Sequence, residues 1–302
     1  MTPPVILGIG AAFLTALCQS ASDVGTKAAT REAEERLILA AQWCAGALLL
    51  CLVCVVVHPQ LLHRPIAVLR ELTKPDFWPL VAASTTLNVA AYLLFVRAFR
   101  LAEASLVAPL MLLTPVLLLA TSPIMVGERV SPLGGFGVVL SVVGAIILAS
   151  SEPGSSPTAS LKTFLRDEGV HAMSLTAAIW SVTANLDKLG LRASTPMIWI
   201  TAISGGIALA SVGLWLATAR GPVRLRALRW AFAAGAANAL GNAVQMYALT
   251  LLFVPYVIAI KRMSALFTVL VGGMAFRENI RARLLGAGVM FAGAALVAFA
   301  QG

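Results

Sequence analysis

Lys261 and Arg262 stand side by side in "VIAIKRMSALF" (257–267), inside a run that is otherwise apolar from Phe253 to Phe276. Lys261 lies about eight residues into that run, or about 12 Å at the rise of an α-helix. A snorkelling side chain recovers only part of such a depth. A charge left against hydrocarbon there costs at least about 2.5–3.5 kcal/mol. Two cations held at that depth are the chemistry that attracts a carboxylate or a phosphate. Neighbouring residues on a helix are rotated by about 100°, so the two side chains cannot point the same way. Lys261 shares a face with Ser264 and Thr268, whereas Arg262 goes with Ala265 and Leu266. The spacing places Lys261 toward a polar cavity and Arg262 against a neighbouring helix or the cavity's edge. The plainer reading is a helix that starts late, with both side chains snorkelling outward from Tyr256.

Other polar groups in apolar runs fall on single helix faces. Thr85, Asn88 and Tyr92 follow i, i+3, i+7, and so do Asn238, Asn242 and Gln245. Trp180, Thr183 and Asp187 share a face, as do Gln19, Ser22, Asp23 and Lys27. Interhelical hydrogen bonds, at about 1 kcal/mol each, explain many such stripes. A cavity lining explains them equally. On that reading Asn88, Asn242, Gln245 and Tyr92 orient a ligand beside Lys261, with Gln19 and Trp180 on its margin. Asp23 and Asp187 are the acidic candidates for coupling near the interior of these runs. Each also lies near the end of its run, where an interfacial position, or an Asp23–Lys27 ion pair, is the simpler account. Glu128 and Glu278 close their runs among arginines and read as helix-end or loop salt bridges.

The elements that carry these residues are membrane helices. The chain of 302 residues is 59% hydrophobic and 12% charged, against roughly 45–50% and about 25% in soluble domains. Ten apolar runs, at about 4–26, 36–57, 77–97, 105–126, 133–150, 171–190, 196–218, 228–250, 253–276 and 283–300, are each long enough for a bilayer core of about 30 Å. A net charge of +9 comes mainly from basic residues between these runs, the usual place for lysine and arginine in membrane loops. There is no basic face interleaved with aromatics of the kind nucleic acid requires. Cys18, Cys44, Cys51 and Cys54 lie in apolar runs without histidine or a second pair nearby, and read as buried small hydrophobes. His58, His63 and His171 sit in loops or at run ends, and no G-x-S-x-G elbow is present. No catalytic residue, cofactor or metal is therefore expected, which leaves an intramembrane enzyme as the weakest class.

A Pro/Gly/Ser-rich linker, "EPGSSPTASLKTFLRDEG" (152–169), divides the chain into two sets of five runs. The domains are expected at 4–150 and 171–301. The sets echo one another: "VGERVSPLGGFGVVLSVVGAIILA" stands against "AFRENIRARLLGAGVMFAGAALVAF", so that Glu128 matches Glu278, and Gly137 and Gly144 match Gly286 and Gly293. "STTLN" against "NALGN" pairs Asn88 with Asn242. Met111 and Leu112 occupy the places of Lys261 and Arg262, so the charge belongs to one half. Five crossings per repeat force the halves into opposite orientations, a recurring plan of secondary transporters.

The five-plus-five layout, Pro115, the Gly127–Glu128 ending and the glycines that follow resemble the drug/metabolite transporter superfamily, EamA branch. The second half departs from the pattern at Ala265 and Arg277. The resemblance implies an all-α membrane protein of ten helices in two inverted repeats. It implies a permease or exporter of a small metabolite without assigning the substrate, and Lys261 and Arg262 point to a polar or anionic one; a monomer in a bacterial inner membrane is expected. A lipid or lipid-linked metabolite flippase of the same superfamily is the alternative. The resemblance also implies cytoplasmic termini. Lysine and arginine, however, are more numerous after the odd-numbered runs, and that distribution favours the reverse.

Overall fold

The computed structural model describes residues 3–30, 33–57, 70–101, 108–150, 167–218, 225–264, 267 and 281–300. Among them the chain is helical throughout, with no strand. The helices are α1 (Pro3–Thr30), α2 (Glu35–Val57), α3 (Phe77–Leu101), α4 (Leu113–Met125, led in by a 3-10 turn at Ala108–Leu112) and α5 (Pro132–Ser150). They continue as α6 (Glu168–Ala193), α7 (Pro196–Thr218), α8 (Leu225–Leu251), α9 (Val254–Lys261) and α10 (Arg281–Phe299).

Local chemistry sets several of these boundaries. Gly127 ends α4 with φ +80°, a conformation that costs glycine little, and its N–H returns to the Ser122 carbonyl. Ser131 Oγ then accepts from Gly134 N at the start of α5, with Pro132 in the first position, where a missing donor costs nothing. Asp167 caps α6 by accepting from Gly169 N and Val170 N at 2.8 and 3.0 Å. Pro115 falls in the first turn of α4. The rest of the linker, like Thr268 and Glu278, lies outside the described residues.

Among the described residues four helices are long and apolar enough to cross a membrane, at Pro3–Thr26, Arg36–Val56, Phe77–Phe95 and Pro196–Thr218, and three shorter apolar helices accompany them. Charges within α6 (Asp187, Lys188, Arg192) and α8 (Arg226, Arg229) lower their hydropathy. Large apolar side chains cover the outside: Ile124, Leu209 and Val56 are 84%, 78% and 77% exposed. A surface of that kind matches lipid and would aggregate in water.

The packing keeps its form when the two halves are exchanged. α1 lies on α8 as α6 lies on α3, α2 on α8 as α7 on α3, and α1 on α9 as α6 on the 3-10 turn before α4. The pairs α5–α10 and α2–α7 are each their own counterpart. Atomic detail follows the same exchange. Thr15 Oγ1 donates to the Gly241 carbonyl across α1–α8, and Thr176 Oγ1 to the Ala91 carbonyl across α6–α3. Gly137 abuts the Gly293 carbonyl and Gly144 the Gly286 carbonyl, which places all four glycines matched in sequence on one α5–α10 contact. The threonine bonds also correct a register. They equate Ala91 with Gly241, which brings Asn88 opposite Asn238 rather than Asn242, because main-chain packing and not the amide pattern fixes the superposition.

Candidate functional site

The run expected to be one helix over 253–276 is broken at its charged pair. Residues Val254–Ile260 are all buried, Lys261 closes α9, and Arg262 caps it, its N–H returning to the carbonyls of Ile258 and Ile260. The correction has a physical sense. Carbonyl oxygens at a helix C-terminus carry partial negative charge, which offsets part of the cost of holding two cations in the interior. The 3-10 turn before α4 falls at the equivalent place in the first half, next to Met111 and Leu112.

Among the described residues neither cation is tied to a carboxylate. Lys261 Nζ donates to Gln245 Oε1 at 2.6 Å. Arg262 Nη2 donates to Thr114 Oγ1 at 3.3 Å, and its guanidinium carbon lies 5.7 Å from the centroid of the Trp180 ring. The Arg262 Nε is buried without any hydrogen-bond partner among the described residues. Such an orphaned charged donor is costly. Thus Arg262 reaches α4 and α6 while Lys261 reaches α8.

The two acids come from α1 and α6. Asp23 is exposed on its helix, accepts from Gln19 Nε2 at 2.9 Å, and lies within electrostatic reach of both Lys261 and Arg262. Asp187 accepts from Trp199 Nε1 at 3.1 Å and lies within reach of Lys261. Tyr92 fits edge-on between Trp43 and Trp180, with centroids 5.5 and 5.7 Å away, and Phe95 backs Trp180 at 5.7 Å. Direct contacts thus join Lys261 to Gln245 of α8, and Arg262 to Thr114 of α4 and to Trp180 of α6, on which Tyr92 of α3 packs; Asp23 and Gln19 of α1 bond each other, and Asp187 bonds Trp199. Asn88 turns its amide NH₂ back to the Ser84 carbonyl and hydroxyl of its own helix. Asn242 is half-buried on α8, one turn before Gln245. Among the described residues no group of His, Cys, Asp and Glu is arranged to hold a metal.

A second charged cluster, not assembled from the sequence, joins the ends of four helices. Glu128 is buried after α4, pairs with Lys188 of α6 at 3.0 Å, and accepts from Val254 N at 2.7 Å. Lys188 also donates to the carbonyls of Leu249 and Leu252. Close by, Asn185 accepts from Ser122 Oγ and donates to Thr121 Oγ1, fastening α6 to α4. The sequence signal was Glu128 itself, read as a helix-end ion pair. Lys188 was hidden because it follows Asp187 and its partner is distant along the chain.

A helical bundle with an apolar outside and charges and aromatic rings in its interior fits an integral membrane protein. Residues 6–150 match the profile of the EamA-like transporter family. That match covers just under half of the chain, 145 of its 302 residues, and over them the chain is similar to that family. The fold is shared with a crystal structure of another protein, covering 96% of this chain and 95% of that one, with a TM-score of 0.75 at 18% identity. At that identity the likeness is one of fold alone. No curated protein sequence matches the chain significantly.

Proposed function

We propose that the protein is a secondary transporter carrying a small polar or anionic metabolite through a cavity between two inverted five-helix repeats. Lys261 and Arg262 take the anionic group, a carboxylate or phosphate. Gln245, Gln19, Tyr92 and Trp180 shape and orient the remainder, with Asn88 and Asn242 on the adjoining helix faces. The observation that carries this reading is the pair of interior cations at a helix break, one with an orphaned Nε and both bonded to neutral partners. A purely structural arginine or lysine at such depth is expected to be matched by a carboxylate. The inverted arrangement draws support from the exchange symmetry of the packing and from interrupted helices at equivalent positions in both halves.

The test is transport by Lys261→Met and Lys261→Arg in proteoliposomes at matched protein levels. Loss of at least about tenfold in uptake of an anionic substrate by the Met variant is expected, since a bond to a charged group contributes about 1.5–3 kcal/mol. The Arg variant keeps part of the activity. Full activity of the Met variant would sink the proposal.

A further inference from the structure

The ammonium of Lys188 carries three N–H donors and meets three oxygens. They are Glu128 Oε1 at 3.0 Å, the Leu252 carbonyl at 2.9 Å and the Leu249 carbonyl. These oxygens come from both halves of the chain. Glu128 follows α4, whereas Leu249 lies in the last turn of α8 and Leu252 just beyond it. Carbonyls at a helix C-terminus lose their intrahelical donors and carry partial negative charge. The cluster is nearly closed to solvent, for the Glu128 and Lys188 side chains are 7% and 17% exposed. Asp187, the adjacent carboxylate, is engaged by Trp199 instead.

We infer that the Lys188 ammonium fills a monovalent-cation site built into the fold. Glu128 Oε1 and the carbonyls of Leu249 and Leu252 form an oxygen cage that takes a sodium-sized ion or a small alkylammonium when the tethered ammonium is removed.

Ligand chemistry is the first argument. Carboxylate and carbonyl oxygens are the donors that hard cations take. Carbonyls freed where membrane helices are interrupted coordinate sodium in other transporter folds. Charge is the second. The cage supplies one formal negative, which matches a single positive charge. A divalent ion would leave one charge uncompensated away from water, which is costly. Position is the third. Glu128 Oε2 accepts from Val254 N at 2.7 Å, so the carboxylate is held in place independently of Lys188. When the lysine side chain is cut back, the oxygens stay gathered around the space it leaves. Water there cannot compensate the Glu128 charge, whereas a small cation can. The native protein therefore joins the α4–α5 connection to the α8–α9 junction with a cation of its own, and this joint needs no dissolved ion. It holds whatever the central cations carry.

Purified full-length wild type, Lys188→Ala, Lys188→Ser and the double variant Glu128→Gln/Lys188→Ala are compared by thermal unfolding. The salts are sodium, potassium, methylammonium and N-methyl-D-glucamine chloride at equal ionic strength, the last being too bulky to enter. The midpoint of Lys188→Ala should rise by at least about 3 °C, and saturate, on titration with one or more of the small cations. Wild type should show no such rise, and the double variant should lose it. Equal stability of Lys188→Ala and Lys188→Ser in all four salts overturns the inference. So does a gain that persists in the double variant, or one of the same size in wild type, since the cation would then act elsewhere. Failure to recover either single variant in any small-cation salt also counts against it, because a filled cage should hold the fold through extraction.

Discussion

Glu128 meets two demands with one carboxylate. One oxygen accepts the N–H of Val254, a donor left free at the start of α9, and the other pairs with Lys188 at 3.0 Å. Lys188 in turn satisfies carbonyls at the end of α8. Removing one member of such a buried pair strands the other charge, at a cost of about 3–5 kcal/mol. Glu128→Ala and Lys188→Met are each expected to lower the thermal unfolding midpoint sharply. Glu128→Gln combined with Lys188→Met should lose less than either, because the amide oxygen still caps Val254 and no charge is stranded. A double variant as unstable as the sum of the singles would count against the coupling. At this scale the sequence was legible wherever depth made a charge conspicuous. Lys261 and Arg262 declared themselves that way, whereas Asp23 and Asp187 lie near the ends of their runs and stood out less. Lys188 did not, because its ligands are main-chain carbonyls of α8 and a glutamate of another helix, which no local pattern reports.

Helix against helix, α5 and α10 approach closely through their glycines. A Cβ on Gly137 would come to 2.8 Å from the Gly293 carbonyl oxygen and 2.9 Å from Val297 N, both rigid backbone atoms. On Gly144 it would meet Met290 N and the Gly286 carbonyl. Gly135 and Gly288 have nothing within 4 Å of the same position. Alanine at Gly137 or Gly144 should therefore destabilise by about 1–3 kcal/mol, the usual cost of overpacking. At Gly135 or Gly288 it should be neutral or stabilising by up to about 1 kcal/mol, from helix propensity. Thermal unfolding of the four single variants in one detergent checks the contrast, and equal shifts at all four would refute the contact. These glycines were found from the internal repeat. The break at Lys261 was not, for "IKRMS" contains neither proline nor glycine to mark it. Its cause lies in tertiary structure, where Gln245, Thr114 and the Trp180 ring hold the two side chains in different directions.

Across the whole molecule, the helix ends sort into two faces. Gly8 near the start of α1 packs on Leu251 and Leu252. Lys74 donates to the Ala193 carbonyl, Thr195 N to Glu71, Arg192 to the Val126 carbonyl and Val254 N to Glu128. These contacts gather the start of α1 with the connections α2–α3, α4–α5, α6–α7 and α8–α9. On the other face, Ala29, Ile38, Ala41 and Ala231 form one cluster, Ala98, Ala172 and Met173 another, and Arg97 pairs with Glu168 at 3.4 Å. Hence α1 and α6 begin on opposite faces, the arrangement that the proposed inverted repeat calls for. Single cysteines placed at Asp76, Arg129 and Phe253 should share one compartment, and those at Glu34, Glu168 and Arg226 the other. The background has Cys18, Cys44, Cys51 and Cys54 replaced by serine or alanine, and the probe is a membrane-impermeant maleimide applied to intact cells. The second face carries Arg36, Arg97, Arg226 and Arg229, and the sequence adds Arg31, Arg220 and Arg224 in the connections between its helices. Basic residues beside membrane helices are retained on the cytoplasmic side, so the Asp76 set is expected to label from outside and the Glu34 set only after the membrane is opened. Labelling of the Glu34 set alone would reverse the orientation and leave the inverted fold intact; a set divided between the two compartments would break the fold assignment itself.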